Sequence, residues 1–400
     1  MTASVGIESV DRLEAATSEI GWLGLLALLG NSVMGAVGLL AAGLVLPLLA
    51  KDFAAVPNVA LLAQLVSGIV GAACAVGSPL AGRAIDRYGV RSVYVAGALL
   101  FAGAGAVPVI LGNLYLILVA RAFLGLAVAA VIVAGSTGLG RLPPKRRARL
   151  LGYSALIGGV TAMLVFPLIG QLAKYGWRIA FLPHLVALVF VPLALTLPRE
   201  KLSRAGRESS VSRTPLRLPI ALLPVAGFGG MVAFIGPVFS AFYLASINVS
   251  DPGAIAIPLT IGAGCSLLGS AGFGLVYSRL GGSGVFAVAF LLVAAGLMID
   301  GTAQSIIPFA LGAALGGAGA AFLAPNYIAT AVAAAGPTGA ARAVGLVQAA
   351  MFSTQAVFPF ISEPVRRAAG PGMVFIGFGI TSLLIGLGYA MAGLRNRERN

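Results

Sequence analysis

Two titratable side chains stand inside apolar stretches of this 400-residue sequence, where they could move a proton or bind a charged solute. His184 is the single histidine, and an imidazole exchanges its proton near neutral pH. It could carry a proton, or it could be a packing residue held by a hydrogen bond. Arg121 lies in Leu118-Val-Ala-Arg121-Ala-Phe-Leu-Gly125. Both residues are candidates for coupling or substrate binding.

Arg121 needs a polar environment inside a helix bundle. An arginine in the hydrocarbon core costs roughly 2.5–3.5 kcal/mol on insertion scales. We therefore expect its side chain to face water or a polar partner. The alternative is a side chain that extends outward to the membrane interface.

Carboxylates are absent from the middle of every apolar stretch. The nearest acids lie in connecting segments or close to the ends of stretches, and they are Asp52, Asp251, Asp300 and Glu363. This pattern favours a neutral, zwitterionic or anionic solute over a lipophilic cation. An intramembrane enzyme is a remote alternative, because it would need a Ser/His pair, two central Asp residues or metal ligands at fixed spacing. Cys74 and Cys265 lack such spacing, so we expect no metal and no cofactor.

Uncharged polar side chains are the remaining candidates for a substrate cavity. Four of them fall within apolar stretches, namely Asn31, Asn326, Gln348 and Gln355. Each could contact a solute, or could form an interhelical hydrogen bond worth about 0.6 kcal/mol on average. The sequence leaves both interpretations open.

The most specific motif is Gly82-Arg-Ala-Ile-Asp86-Arg87-Tyr-Gly89-Val-Arg91, which joins two apolar stretches. Glycines permit a tight turn with positive φ, and Asp86 can accept hydrogen bonds from arginines or helix N-termini. A solvated basic loop is the alternative. The motif resembles the signature loop of the major facilitator superfamily. That resemblance implies that Gly82, Asp86, Arg87, Gly89 and Arg91 form a cytoplasmic latch that holds and releases the two halves during alternating access.

Two further motifs resemble those of proton-coupled members of this superfamily. Arg121 precedes Gly125 by four residues, as in their fourth helix. Pro167 and Gly170 match the end of the fifth-helix motif of proton-driven drug antiporters, but the first glycine of that motif is replaced by Phe166. The resemblance to the drug-efflux branch is therefore partial. Helices 1, 4, 7 and 10 line the cavity in this superfamily, which favours Asn31 and Asn326 among the cavity candidates.

The elements that must position these residues are membrane-spanning helices. The chain is 59% hydrophobic and only 10% charged, whereas soluble domains have about 25% charged residues. A window of about 19 residues, which is long enough to cross a bilayer, finds twelve apolar stretches. They lie near 22–49, 59–81, 92–111, 114–139, 150–172, 178–197, 218–246, 254–278, 284–302, 305–333, 342–363 and 372–394.

The distribution of basic residues predicts the orientation. With both termini in the cytoplasm, 20 of the 26 Lys and Arg residues fall on the cytoplasmic side, as the positive-inside rule requires. Because this orientation accounts for the net charge of +14, we expect no nucleic-acid partner. We expect a multi-pass protein of the bacterial inner (plasma) membrane, monomeric in the lipid bilayer.

An internal repeat divides the chain into two similar halves. Val165-Phe-Pro-Leu-Ile169 recurs as Val357-Phe-Pro-Phe-Ile361, at an offset of 192. Gly82, Arg87 and Gly89 meet Gly274, Arg279 and Gly281 at the same offset, while Ser278 takes the place of Asp86. The predicted units are a tail 1–21, a six-helix bundle 22–197, a cytoplasmic linker 198–217, a second six-helix bundle 218–394 and a tail 395–400.

The sequence therefore predicts an all-α membrane protein with twelve transmembrane helices in two pseudo-symmetric bundles. By the resemblance, it is a secondary active transporter of a small organic solute, with proton-coupled efflux favoured. An importer or uniporter of an organic anion or sugar-like solute is the alternative.

Overall fold

The computed structural model describes residues 20–199 and 218–398. Most of the predicted tail 1–21 and linker 198–217, and the end of the tail 395–400, lie outside these residues. Within them, the regular elements are helices. They are α1 (Trp22–Leu40), α2 (Leu46–Asp52), α3 (Val59–Ala106), α4 (Leu114–Gly140), α5 (Pro144–Ala173), α6 (Ala187–Ala194), α7 (Leu222–Ser246), α8 (Pro252–Thr302), α9 (Ile306–Ala369) and α10 (Pro371–Glu398).

Short 3₁₀ segments complete some of these helices. Gly43–Val45 joins α1 to α2, and Ile179–Val186 precedes α6. Nine segments of the described chain are long and apolar enough to cross a membrane, and the shorter apolar helix Ile179–Ala194 adds to them. Large apolar side chains such as Leu99, Phe123 and Leu268 are exposed, as expected for helices that face lipid.

Three of the long helices change direction at a glycine. A straight helix of the 48 residues in α3 would be about 72 Å long at 1.5 Å per residue, far beyond a hydrocarbon core of about 30 Å. Instead, α3 breaks at Gly89 (φ 80°, ψ 162°) and α8 breaks at Gly281 (φ 64°, ψ 179°). α9 breaks at Gly336 (φ 66°). A residue with a Cβ would be strained in this conformation.

Small residues bring the helices of each half together. Gly125 of α4 packs against the backbone of α3 at Val70, and Gly296 of α8 packs against α9 at Gly312 and Gly316. Such close approach is the usual means of helix association in a bilayer, where apolar side chains gain nothing by leaving lipid. The glycine run 312–319 therefore serves helix packing.

Residues 20–199 form the N-terminal half and residues 218–398 the C-terminal half, and the two meet along three seams. α5 contacts α8, the first arm of α3 contacts the second arm of α9, and α2 with the preceding 3₁₀ segment Gly43–Val45 contacts α7. At the third seam Gly43 packs on the backbone carbonyl of Pro237, where no Cβ would fit. Gly170 packs similarly on Pro252. These close contacts lie toward the predicted outer end of the helices.

Candidate functional site

A cavity of about 770 Å³ lies between the two halves, hereafter the inter-half cavity. α1 and α5 line it from the N-terminal half, and α7, α8, α9 and α10 line it from the C-terminal half. Its walls are largely apolar and include Phe166 and Phe375. Pockets of 300–1,000 Å³ are typical of small-molecule sites. The size and the position between the halves therefore suit a small organic solute.

Asp300 is the single ionisable residue among the described residues that line this cavity. Its side chain is 6% exposed, and its Oδ1 atom has no hydrogen-bond partner among the described residues. In the sequence, Asp300 lies near the end of an apolar stretch. In the structure, α8 turns its carboxylate toward α9 and the cavity.

Arg121 is fully buried in the N-terminal half and connects four segments of it. Its Nε donates to the Val66 carbonyl at 3.0 Å, and one terminal nitrogen donates to the Gly38 carbonyl at 3.2 Å. The other terminal nitrogen lies 3.3 Å from Nε2 of His184. The guanidinium also lies over the Phe181 ring at 5.5 Å. In the described chain Arg121 has polar partners but no carboxylate in contact.

His184 completes this buried pair. Its Nδ1 lies 2.8 Å from the Phe181 carbonyl oxygen, an acceptor only, so Nδ1 carries the proton. Nε2 then accepts from Arg121, which assigns a neutral imidazole by hydrogen-bond geometry. The ring also packs against Phe101 at 5.5 Å and against Gly105. The sequence named Arg121 and His184 separately, and the fold brings them into contact.

The predicted cavity candidates occupy other places, and none of the four borders the inter-half cavity. Asn31 donates to the Leu28 carbonyl and packs against Gly135. Asn326 is fully buried and donates to the Gly282 carbonyl at 2.9 Å. Gln348 is exposed.

Gln355, the fourth candidate, lies on the seam between the halves. It packs on Gly68 and Gly71 of α3, and its Oε1 has no hydrogen-bond partner among the described residues. Contact of any of these residues with a solute stays a prediction.

The signature loop forms the turn between the two arms of α3. Gly89 supplies the positive φ, and Asp86 and Arg87 are exposed. Within the described residues Asp86 makes no hydrogen bond or ion pair. Arg91 donates to the Leu197 carbonyl at 3.2 Å, which is a contact inside the N-terminal half. Gly82 has open space around its Cα.

In the fifth-helix motif, Pro167 lies inside α5 and Gly170 faces α8 across the seam. The close approach of α5 and α8 at Gly170 involves both halves of the molecule. The motif therefore lies at an interface that must change if the halves move relative to each other.

A polar cluster joins the halves at their predicted outer end, and we call it the outer clamp. It consists of Asn58, Gln64, Ser362, Glu363 and Arg367. Ser362 Oγ donates to Gln64 Oε1 at 2.7 Å, and Gln64 Nε2 donates to Glu363 Oε2 at 3.3 Å. Arg367 bridges Glu363 at 2.8 Å and Asn58 at 3.1 Å. This cluster was not predicted from the sequence, although Gln64 inside one apolar stretch and Glu363 at the end of another were visible there as a possible pair.

Among the described residues, no group of three or more His, Cys, Asp or Glu residues is arranged to hold a metal ion. The candidate functional site consists of the inter-half cavity, the buried Arg121–His184 pair, the signature loop and the outer clamp.

Comparison with known families identifies the class of protein that has this architecture. The family model described as the Major Facilitator Superfamily matches residues 26–299. The chain belongs to this superfamily of membrane transporters. No curated protein matches the sequence.

Solved transporter structures share the fold at low sequence identity. A point variant of the peptide transporter POT has a TM-score of 0.78 and 14% identity, with 96% of this chain and 98% of that chain covered. The nucleoside transporter NupG has a TM-score of 0.71 and 13% identity, with 92% and 99% covered. The xylose transporter XylE from E. coli has a TM-score of 0.70 and 17% identity, with 92% and 97% covered. These similarities show the fold and leave the solute open.

Proposed function

We propose that this protein is a secondary active transporter that moves a small organic solute by alternating access. The observation that carries the proposal is the inter-half cavity, which is lined by both halves while the outer clamp joins them at one end. A site between two bodies that touch on one side can be exposed to the other side by a rocking motion.

We further propose twelve membrane crossings with both termini in the cytoplasm of a bacterial cell. The breaks at Gly89 and Gly281 divide two of the nine long segments, and the short helix Ile179–Ala194 adds one more. The distribution of Lys and Arg supports the orientation. On this topology the two bundles are residues 22–197 and 218–394.

The two ends of the molecule then have opposite roles in the transport cycle. The outer clamp is closed in this structure, while the Asp86 carboxylate at the other end is exposed. We assign Asp86 and its loop to a latch that forms when the cytoplasmic side closes. Each closed state would thus have its own set of polar contacts between the halves.

For coupling, we favour solute efflux driven by inward proton flow, in which each charge moved gains about 2.3 kcal/mol per 100 mV. The Arg121–His184 pair supports this choice. Protonation of His184 Nε2 requires Arg121 to withdraw, because a cation cannot donate to an imidazolium. Proton uptake would then be tied to movement of α4. Import or uniport of an organic anion or sugar-like solute is the alternative.

Transport in proteoliposomes tests these proposals. A thermal-shift screen of amines, organic acids, sugars and peptides on the detergent-purified protein would supply solutes for the assay. We expect saturable flux of a hit, accelerated by an imposed pH gradient and slowed by a protonophore. Flux that does not depend on the pH gradient would refute proton coupling. Solute accumulation in the same direction as proton flow would favour the importer. Absence of saturable flux for every hit would refute the transport proposal.

A further inference from the structure

The Asp300 carboxylate is an isolated acidic group at an apolar site. It is more than nine-tenths buried, and Oδ1 has no donor among the described residues. Oδ1 packs against the Cα of Gly312 on α9, where a Cβ would collide with it. The nearby Tyr243 hydroxyl donates to the Ala303 carbonyl at 2.7 Å instead. A buried carboxylate without a partner is costly unless a positive charge or a proton joins it.

The described part of the chain offers no positive charge to the cavity beside Asp300. None of the residues that line it is Lys, Arg or His, and its other polar side chains are serines. The buried Arg121 belongs to the other half and is not among the residues lining this cavity. Since none of the described basic side chains lines this cavity, a positive charge that complements Asp300 would have to come from a bound solute.

The rest of the cavity suits the body of an organic ion. Phe166 and Phe375, together with Leu156 and Leu267, give it aromatic and aliphatic walls. Its volume of about 770 Å³ is within the range that accommodates drug-sized molecules. Apolar walls with one buried acid match a hydrophobic molecule with one positive charge.

We propose that the inter-half cavity binds a lipophilic organic cation, with the Asp300 carboxylate as the partner of its charge. This inference rests on the proposed function, since it names the class of solute carried. It replaces the neutral, zwitterionic or anionic solute that the sequence favoured. Asp300 lies on α8, and its place in an apolar stretch of the sequence did not by itself show that it borders the cavity.

Equilibrium binding to the full-length protein in nanodiscs tests the proposal without any flux measurement. The probes are tetraphenylphosphonium, a lipophilic cation that cannot lose its charge, and triphenylphosphine oxide, a neutral molecule with similar aryl groups. We expect wild-type protein to prefer the cation. Asp300→Asn should weaken cation binding by at least about tenfold while binding of the neutral probe stays unchanged.

Two controls keep the test independent of folding. Asp300→Glu retains the charge and should retain the preference for the cation. Gly236→Phe adds a ring at a position on the cavity wall that has open space around it, and should weaken binding of both probes. Lowering the pH should weaken cation binding to wild-type protein and leave Asp300→Asn unaffected, because protonation removes the carboxylate's charge.

Equal cation binding by wild-type protein and Asp300→Asn would overturn the proposal. So would a wild-type protein without preference for the cation, including one in which Asp300 binds a proton only. If the wild-type protein binds the cation but shows no flux, that result contradicts the transport function and leaves the binding site at Asp300 standing.

Discussion

Gln64 of α3 and Glu363 of α9 are hydrogen-bonded across the two halves of the molecule, with 3.3 Å between Nε2 and Oε2. Glu363 is 2% exposed, and its charge is balanced by Arg366 at 2.7 Å and Arg367 at 2.8 Å on its own helix. Glu363 therefore has charged partners within its own half in addition to its hydrogen bond with Gln64. Opening the outer end would break the contacts of Gln64 without leaving Glu363 unpaired.

Gln64→Leu should favour opening of the predicted outer end. The variant removes two hydrogen bonds between the halves, and one hydrogen bond to a charged group contributes about 1.5–3 kcal/mol, which is tenfold or more in an equilibrium constant. Spin labels at the exposed positions Ala55 and Ala369, in a background without Cys74 and Cys265, would report a larger population of long distances. Ser353→Ala is the control, because Ser353 is exposed and bonds only within its own helix. An unchanged distance distribution in Gln64→Leu would count against the outer clamp.

Arg121→Ala should reduce transport far more than the amount of protein inserted in the membrane. The change leaves the Val66 and Gly38 carbonyls and His184 without their donor, and one unsatisfied buried group costs about 1–3 kcal/mol. We expect a lower melting temperature in detergent and flux reduced by roughly tenfold or more. Arg149→Ala is the matched control, because Arg149 is exposed and bonds to Tyr153 on its own helix. Wild-type flux in Arg121→Ala would remove Arg121 from the mechanism.

His184→Gln should separate coupling from solute movement. If proton uptake at His184 drives the cycle, the variant loses acceleration by a pH gradient but still exchanges labelled solute across the membrane at equal pH. The measurement is gradient-driven flux beside counterflow in the same vesicles. Gln can still accept a hydrogen bond from Arg121, so a purely packing role predicts that both activities survive. Survival of the gradient response would therefore exclude His184 as the proton carrier.

Asp86→Asn should leave the present conformation stable and change the balance between conformations. Asp86 is exposed and makes no hydrogen bond or ion pair within the described residues, so its charge contributes little here. We expect normal insertion and melting temperature, with a several-fold lower rate of flux because the cytoplasmic latch is weaker. Ser278→Ala, at the equivalent position of the second half, is the control. Unchanged transport kinetics in Asp86→Asn would contradict the latch.

The sequence by itself determined the helical membrane character of the chain and the family to which it belongs. Apolar length is a local property, and the cost of burying polar backbone in lipid leaves helices as the means of hiding it. The turns at Gly89 and Gly281 could also be predicted from the sequence, because a motif that repeats at an offset of 192 has a glycine at each position where positive φ is needed. The family motifs carried the remaining inference about fold.

Only the tertiary structure decided which polar groups meet. Arg121 is 63 residues from His184, and Gln64 is 299 residues from Glu363. Such contacts depend on how far each helix is rotated and shifted against its neighbours. In lipid, both the packed face and the exposed face of a helix are apolar, so hydrophobic periodicity gives little information about rotation. For this reason the inward orientation of Asp300, and with it the chemistry of the cavity, emerged from the packing of α8 on α9.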